Sequence, residues 1–377
     1  MTAGDELPGI FLARPEEPPP GIALAVKDLF DTAGFVTTYG SAIFADHVPE
    51  RTAKAVLRLE AAGYANVGKT NLHEFAYGTT SENPHYGTVP NPIAPGRTAG
   101  GSSGGSAAAL AAGFADAALG TDSGGSIRIP AACCGVTGFK PTFGLVPLDG
   151  CFPLAPTFDH AGPMARDVRT CAAMMRALAP GFEPARLESL AEVEVGFTWL
   201  EEADPLVRAR LGRAASLFPR RRPLDFPLPE MMRAVFMREA ADVHRELYAE
   251  HSDLYGENVA AKIERCLAVT DAEYEAALRA REQYRRRALE LLEQVDLLLT
   301  PTLAFVAPPL GTDELELRER LIRFTYPLNV IGAPALALPC GPAEEDLPAS
   351  AQLVGRPGSD ALVLAVADLL ETALRSE

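Results

Sequence analysis

The chain has 377 residues, of which 47% are hydrophobic, so it is long enough for one large domain or two of ordinary size around a substantial core. Its formal net charge of −16 argues against nucleic acid as a partner, because the phosphates would be repelled. No stretch approaches the roughly 18 apolar residues of a membrane span, and the N-terminal sequence MTAGDELPGI lacks the basic start and apolar run of a signal peptide. We therefore expect a cytoplasmic protein that binds neither nucleic acid nor membrane.

Alternating apolar strands and helices predict the fold. The predicted elements are, in chain order, an irregular proline-rich lead-in over 1–20, a buried strand over 21–28, a helix over 52–63, a short strand over 64–70, an alanine-rich helix over 103–113, a strand over 117–122, helices over 166–179 and 204–218, a helical stretch over 229–294 broken near Ser252–Tyr255 and near Thr270, strands over 295–302, 334–341 and 350–355, and an amphipathic helix over 359–375. Strands that alternate with helices are typical of an α/β fold, so we expect a single domain over 1–377 with a central mixed, twisted β-sheet covered by helices on both faces. Residues 204–294 would form a helical layer over the core, and 295–377 would be its C-terminal part.

The cysteine and histidine spacings predict no metal site. Six cysteines, at 133, 134, 151, 171, 266 and 340, form no CxxC pair and no zinc-binding spacing, so we expect buried thiols in a reducing compartment. His73 and Glu74 begin an HExxH pattern, but Tyr77 stands where the second histidine would be. The sequence therefore indicates neither a metal nor a cofactor.

Two runs rich in glycine and serine stand a short helix apart, AGGSSGGSAAALAAG (99–113) and GTDSGGSIRIP (120–130). A flexible linker would continue into polar sequence, whereas the first run leads directly into an alanine-rich helix. Glycines let a substrate approach the backbone closely, and a helix N-terminus leaves N–H groups free, so the two loops could form one pocket rich in N–H donors. Such a pocket suits a phosphate or the oxyanion of a nucleophilic reaction, and the runs alone leave both open.

An alternative of another class is a nucleotide-binding protein. Gly63–Thr70, GYANVGKT, fits the P-loop pattern GxxxxGK[ST]. A P-loop follows a strand and opens a helix, whereas here a predicted helix ends at Gly63 and the next residues look extended. The order of the elements therefore disfavours this alternative.

A serine in either run needs a base before it can attack a substrate. His160, beside Asp159, is the best-placed histidine, but no GxSxG motif accompanies it and TFDHAGP (157–163) is typical of a turn. The other candidate is Lys27, at the end of an apolar strand where burial would lower its pKa. Its position alone fits an ordinary surface lysine equally well.

Six ordered segments resemble the amidase signature family of serine hydrolases that act on carboxylic amides. They are GIALAVKD (21–28), GKTNLHEFAYG (68–78), NPHYGTVPNP (83–92), GGSSGGSAAALAAG (100–113), ALGTDSGGSIRIPAACCGVTGFKPTFG (118–144) and FDHAGPMARDV (158–168). The resemblance is dense over 21–170, which would be the signature core, and returns more weakly over 296–311 and 327–371. It implies the amidase signature fold and an amidohydrolase without a cofactor.

The resemblance also assigns roles to residues. It implies a Ser–cis-Ser–Lys triad in which Ser126 is the nucleophile, Ser102, after a cis peptide bond from Gly101, is the bridging serine, and Lys27 is the neutral base. Lys27 would accept a proton from Ser102, which accepts one from Ser126 during its attack on the amide carbonyl. The oxyanion hole of the family maps to the backbone N–H groups of Ser123, Gly124, Gly125 and Ser126.

Further positions have supporting or binding roles by the same resemblance. Asp122 and Arg128 flank the nucleophile loop and are expected to fix it by hydrogen bonds and an ion pair. Ser103 is expected to form a hydrogen bond at the start of the following helix. Ala76 and Tyr77 lie near the acyl site in the family and are therefore expected to bind substrate.

The substrate implied by the resemblance is a small, apolar or aromatic amide, hydrolysed to an acid and ammonia or an amine. Residues 248–282 resemble free-standing amidases more than the glutamine-hydrolysing component of tRNA amidotransferases, and AVKDLFDTAG (25–34) and ENPHYGT (82–88) resemble indoleacetamide-type hydrolases. An aryl-acylamide or carbamate (urethane) hydrolase of the same family is one alternative, and a catalytically inactive amide-binding member is another. A homodimer is left open.

Overall fold

Short apolar segments bounded by glycine, proline or charged residues form the strands, and longer amphipathic or alanine-rich segments form the helices. The structure is a computed structural model that describes residues 7–230 and 232–376. The helices are α1 Lys54–Ala61, α2 Gly104–Ala111, α3 Arg128–Cys134, α4 Val168–Leu178, α5 Pro205–Ser216, α6 Arg233–His251, α7 Glu257–Leu267, α8 Asp271–Leu292, α9 Glu314–Ile322, α10 Tyr326–Val330 and α11 Asp360–Arg375. The strands are β1 Phe11–Ala13, β2 Ile22–Lys27, β3 Tyr64–Thr70, β4 Glu82–Asn83, β5 Gly87–Thr88, β6 Ala117–Thr121, β7 Thr137–Lys140, β8 Ala161–Ala165, β9 Glu194–Phe197, β10 Arg220–Pro223, β11 Leu297–Pro301, β12 Ala335–Pro342 and β13 Pro348–Val354.

One mixed sheet organises the molecule. Within the described residues, eleven strands pair in the order β1-β3-β2-β6-β8-β7-β12-β13-β11-β9-β10, and β4 and β5 form a separate two-stranded ribbon. The strand β2 is parallel to β3 and β6, and β9 is parallel to β10 and β11. The other pairs in the sheet are antiparallel. The sheet takes strands from both halves of the chain, so the predicted single α/β domain with a mixed sheet is confirmed.

Helices cover both faces of this sheet. Successive residues of a strand point to opposite faces, and Leu24 and Val26 belong to one apolar cluster while Ala25 belongs to another. The first face carries α1, α4, α5 and α11. The second face carries α2 against β2 and β6, α3 against β7 and β12, and α6, α7 and α8 in the apolar cluster that includes Leu298 of β11. Residues 204–294 are therefore not one layer, because α5 packs on the opposite face from α6, α7 and α8.

Two local expectations were wrong, and one alternative is excluded. The lead-in is not irregular throughout, because Phe11–Ala13 forms β1 against β3. The predicted turn TFDHAGP (157–163) is only half correct, because 156–158 form a turn but Ala161–Pro163 belong to the buried strand β8, although they include glycine and proline. The P-loop-like segment is the buried strand β3, and the Lys69 amine donates to the Phe30 carbonyl and to Thr37 Oγ1, each at 2.7 Å. That amine has no opening to a phosphate, so the nucleotide-binding alternative is overturned.

None of the helices that the structure describes combines the length and the apolar character needed to cross a membrane.

The close approach of α2 to the loop after β3 gives a stability prediction. A Cβ at Gly105 would press on the Asn71 carbonyl oxygen and stand 2.8 Å from the Asn71 backbone nitrogen, neither of which is a flexible side-chain end. We expect Gly105→Ala to lower the free energy of unfolding by about 1–3 kcal/mol. Urea denaturation followed by circular dichroism measures this change.

Gly212 is the matched control, because it lies in α5 with no atom within 4 Å of an added Cβ. Gly212→Ala should raise the free energy of unfolding by about 0.5–1 kcal/mol, since alanine is the better helix former. Equal effects of the two substitutions would contradict the packing described for α2.

Candidate active site

The sheet brings the candidate residues to one edge. Strands β2 and β6 are parallel neighbours, with Val26 opposite Leu119, so their carboxyl ends lie side by side. Lys27 ends β2 and Thr121 ends β6. The loop that leads from β6 to α3 carries Ser126, and Ser102 lies two residues before Gly104, the first residue of α2. Two loops and two strand ends therefore converge on the same point.

Lys27 lies at the centre of this point. Its Nζ is 2.7 Å from Ser102 Oγ and 2.7 Å from Thr121 Oγ1, and its side chain has no exposed surface. Burial lowers the pKa of Lys27 to about 7 by penalising the charged form, although the nearby Asp122 and Asp159 carboxylates oppose the shift. A large fraction of this amine is thus neutral near pH 7, as proton acceptance requires.

A backbone hydrogen bond joins the segment that carries Ser102 to the segment that carries Ser126. The Gly101–Ser102 peptide bond is cis, and the Ser103 N–H donates to the Ser126 carbonyl at 3.2 Å. Ser126 is 8% exposed and lines a small cavity. Its hydroxyl makes no hydrogen bond to any residue that the structure describes, Ser102 included, so the proton transfer between the two serines stays a prediction.

A buried ion pair fixes the loop that carries Ser126. Asp122 accepts hydrogen bonds at 2.9 Å from both Nε and Nη2 of Arg128, and both side chains are fully buried. Burial alone would raise the pKa of Asp122, but the Arg128 charge more than offsets it, so the pKa lies below its ordinary range. Arg128 also donates to Asn329 Oδ1 and Gln352 Oε1, each at 2.7 Å, which ties the loop to α10 and β13.

The backbone donors of this loop are not equivalent. The Gly125 N–H donates to Asp122 Oδ1 at 2.8 Å, so it is occupied, contrary to its predicted place in the oxyanion hole. The N–H groups of Ser123, Gly124 and Ser126 have no acceptor among the described residues. Gly125 has a φ of +136° and its Cβ would overlap Thr325 Oγ1, which explains the glycine. A Cβ at Gly124 would meet only Tyr326, at 3.7 Å.

The histidine alternative is not supported by the geometry. The His160 ring lies with Nδ1 2.7 Å from the Phe158 carbonyl oxygen and Nε2 3.2 Å from Lys140 Nζ, and it contacts no serine in the described chain. Burial lowers the pKa of His160 well below its usual value. Its neighbour Asp159 instead accepts a 2.5 Å hydrogen bond from the Ser123 hydroxyl. The Ser-His-Asp interpretation is therefore wrong.

Ser103 differs from its predicted role. It stands at the N-terminus of α2, but its side chain does not cap the helix. Its hydroxyl donates to the Thr121 carbonyl at 3.2 Å and accepts from the Thr121 N–H at 3.4 Å. Ser103, the residue after Ser102, thereby joins the start of α2 to the end of β6.

The cavity at Ser126 has a volume of about 20 Å³, roughly the room for one water. Its walls are formed by Ala76, Tyr77, Gly78, Thr79, Ser123, Gly124, Ser126, Ile129, Leu154, Phe236, Arg318 and Ile322. Through shared walls it adjoins a cavity of about 140 Å³, which in turn adjoins an open groove of about 1100 Å³. The predicted binding residues Ala76 and Tyr77 thus lie beside Ser126, at the inner end of a path from the surface.

Several residues of the site were missed by sequence reasoning. Thr121 lies inside the glycine–serine block and could have been found there, since it directly precedes Asp122. Asn329, Gln352 and Arg318 carried no signal, because α9, α10 and β13 reach the site only through the tertiary fold. Among the described residues, no group of three or more His, Cys, Asp or Glu side chains is placed to hold a metal ion.

Known proteins resemble this chain over most of its length. The family model described as Amidase matches residues 11–205 and 224–364. The chain is 36% identical over 392 residues to AtzE of Pseudomonas sp., which is named as one of the subunits of 1-carboxybiuret hydrolase, covering 95% of this chain and 86% of that protein. It is 37% identical over 414 residues to one of the subunits of the glutamyl-tRNA(Gln) amidotransferase of Thermus thermophilus, covering 97% and 86%. A crystal structure of an amidase superposes with a TM-score of 0.87 at 39% identity, covering 93% and 84%.

The titration of Lys27 gives a prediction for the reactivity of Ser126. The protonated lysine cannot accept a proton, so labelling of Ser126 by a fluorophosphonate probe should slow as the pH falls through the Lys27 pKa of about 7. The rate should rise about tenfold from pH 6 to pH 8, as expected for one group that must lose its proton. Mass spectrometry of the labelled peptide gives the rate and the site.

Ser126→Ala should remove the label, and Ser216→Ala, at the exposed end of α5, should leave it unchanged. A labelling rate that is flat between pH 5 and pH 9 would count against Lys27 as the base.

The Asp122–Arg128 pair gives a prediction for stability. Arg128→Leu leaves the Asp122 carboxylate buried without its counter-charge, which should cost about 3–5 kcal/mol of folding free energy. The control is Arg169→Leu, because the Arg169 side chain is 76% exposed in its ion pair with Asp368. That change should cost less than about 1 kcal/mol. Chemical denaturation that shows similar losses for both variants would refute the role given to Arg128.

Proposed function

The chain belongs to the amidase signature family of amide C–N hydrolases and amidotransferases, and we propose that it hydrolyses a small carboxylic amide through an acyl-enzyme on Ser126. The products are an acid and ammonia or an amine. The observation that carries this proposal is the fully buried Lys27 amine, with a pKa lowered to about 7 by burial and its Nζ 2.7 Å from Ser102 Oγ. The same chemistry is supported by the Ser126 hydroxyl, which borders the cavity, and by the N–H groups of Ser123, Gly124 and Ser126, which have no acceptor among the described residues.

The proposed reaction starts with proton transfer. Neutral Lys27 accepts the hydroxyl proton of Ser102, and Ser102 accepts that of Ser126 as Ser126 Oγ bonds to the amide carbon. The N–H groups of the Ser123–Ser126 loop that are not already bonded stabilise the negative oxygen of the tetrahedral intermediate.

Collapse of the intermediate breaks the C–N bond. The relay returns a proton to the leaving nitrogen, which departs as ammonia or an amine and leaves the acyl group on Ser126. A water molecule then gives a proton to the relay as its oxygen bonds to the acyl carbon. Collapse of this second intermediate breaks the bond between Ser126 Oγ and the acyl carbon, releases the acid and returns the proton from the relay to Ser126. Thr121 holds Lys27 in place through both halves of the reaction.

The cavity supports a small acyl group. The cavity at Ser126 has a volume of about 20 Å³, so a large acyl group could bind only if the side chains of its walls moved. Ile129, Leu154 and Phe236 give this cavity apolar walls, which suit the apolar part of an acyl group, and Arg318 adds one charged side chain to them. Carbamates and anilides share the acyl-enzyme chemistry and differ in the leaving group, so a panel of small amides, anilides and carbamates, assayed with Ser126→Ala as the blank, separates these alternatives.

We also propose that the chain acts as a free-standing cytoplasmic enzyme. The similarity of 248–282 to free-standing amidases supports this, whereas two of the relatives above are named as subunits. Turnover of an amide by the purified chain alone would support the proposal, and light scattering of the same sample separates a monomer from a homodimer. Activity that appears only on addition of another protein would reject it.

The relay predicts the effect of two substitutions on hydrolysis. Lys27→Ala removes the base and should lower kcat/KM by at least about 1,000-fold, and Ser102→Ala should lower it by about 100-fold to 10,000-fold. Both variants should keep their circular dichroism spectrum, because each change shortens a side chain without adding an atom.

Lys54→Ala is the control for the lysine, because Lys54 is exposed at the start of α1. It should leave kcat/KM unchanged. Near-normal turnover of folded Lys27→Ala or Ser102→Ala on any substrate of the wild-type enzyme would overturn the relay.

A further inference from the structure

Arg318 lies in an unusual position for a charged side chain. It projects from α9 into the wall of the cavity that also holds Ser126, and its side chain is only 21% exposed. A guanidinium group carries five N–H donors, yet Arg318 donates no hydrogen bond to any described residue. The carboxylate oxygen Oε1 of its chain neighbour Glu319 is 3.6 Å from Nη1, which is beyond hydrogen-bond distance.

Aromatic rings hold this guanidinium without using its donors. Its Cζ lies 5.7 Å from the centre of the Tyr77 ring and 6.0 Å from the centre of the Phe236 ring. Such cation–π contacts orient the group while its N–H bonds stay free. Tyr326, on the adjoining cavity of about 140 Å³, adds a buried hydroxyl with no partner in the described chain. The polar groups of this wall are thus left for a ligand.

The approach to the cavity is positively charged although the whole chain carries a net charge of −16. The walls of the adjoining cavity hold Arg233, Arg265 and Arg318 against a single carboxylate, that of Glu319. Glu319 is shared between an ion pair with Arg233 and the longer one with Arg318, so it offsets one of these three positive charges. The remaining cation of that wall, Lys262, is neutralised by an ion pair with Glu314. A local excess of positive charge attracts anions to the site.

We propose that the substrate is an amide whose acyl part carries a carboxylate, and that Arg318 binds this carboxylate while Ser126 attacks the amide carbonyl. This inference rests on the proposed function. A carboxylate offers the two acceptor oxygens that a guanidinium binds best, whereas an entirely apolar acyl group would leave the donors of Arg318 unpaired. Because Arg318 and Ser126 line the same small cavity, the proposal favours short substrates, in which one or two carbon atoms separate the carboxylate from the amide. Hydrolysis of such a monoamide gives a short dicarboxylate and ammonia.

The test compares substrates that differ in charge and hardly in shape. Malonamate and succinamate carry a carboxylate where malonamide and succinamide carry a second neutral amide. The wild-type enzyme should hydrolyse the anionic member of at least one pair with a kcat/KM at least about tenfold higher. Arg318→Leu should lower kcat/KM for the anionic substrate by about 100-fold and change that for its neutral partner by less than about threefold. Arg318→Lys, which keeps the charge, should fall between.

Arg320→Leu is the control, because Arg320 stands on the same helix with its guanidinium over the Phe305 ring, outside this cavity. It should preserve the preference. A packing role alone for Arg318 predicts equal losses on both members of a pair, and that result overturns the proposal, as does a wild-type enzyme that prefers the neutral amides.

A binding measurement separates failure of this proposal from failure of the proposed function. Malonate or succinate should slow fluorophosphonate labelling of Ser126 in the wild-type protein and in Arg320→Leu, but not in Arg318→Leu. Protection without hydrolysis of any amide would support the carboxylate site and reject the amidase function. Hydrolysis of neutral amides without protection would support the amidase and reject the carboxylate site.

Discussion

The carboxylate of Asp122 is the point on which the site depends. It is fully buried, and it accepts hydrogen bonds from the Gly125 and Ile127 N–H groups, from the Arg128 guanidinium and from the Asn329 amide. A buried carboxylate is costly unless its acceptors are filled, and here donors from the nucleophile loop, from α3 and from α10 fill them together. The curvature of the Ser123–Ser126 loop follows from this requirement, because two of the hydrogen bonds to Asp122 come from backbone N–H groups. One is that of Gly125 in the loop and the other is that of Ile127 just after it.

Arg128 links the Asp122 carboxylate by hydrogen bonds to the C-terminal part of the chain. Gln352, on β13, accepts from Arg128 and itself donates to Thr300 Oγ1 at 2.8 Å on the neighbouring strand β11. The loop that holds the nucleophile is therefore braced by residues about 200 positions later in the sequence. The lowered pKa of Lys27 comes from its burial, so it depends on this packing staying closed around the amine.

Local patterns were sufficient for most of the fold. The strands β2, β11, β12 and β13 and the helices α4 to α8 follow from apolar runs and helical periodicity, whereas the order of the strands in the sheet was not predicted. The failures have physical causes. A three-residue strand such as β1 has no period to detect, and β8 contains glycine and proline, which normally predict a turn but are tolerated here by its partner strands. The assignment of 204–294 to one layer failed because periodicity tells which face of a helix is buried, not which face of the sheet it covers.

The candidate site also contains some residues that the sequence identifies and some features that only the structure shows. Lys27, Ser102 and Ser126 could be named because they lie in motif-dense segments of the first half. The occupied N–H of Gly125, the bond from Ser103 to Thr121 and the free guanidinium of Arg318 could not, because each depends on distances between elements that the sequence separates.

The pairing of Lys27 with two hydroxyls has a consequence for the direction of proton flow. A neutral amine has two N–H bonds and one lone pair, so if Thr121 accepts one N–H, the lone pair is left to point at Ser102. Once protonated, the amine has three N–H bonds, and among the described residues only these two side-chain oxygens accept from it, each at 2.7 Å. The charged state is thus short of one acceptor within the described chain, at a side chain with no exposed surface. Lys27 is therefore suited to hold the proton only briefly, because its surroundings favour the neutral amine over the charged one.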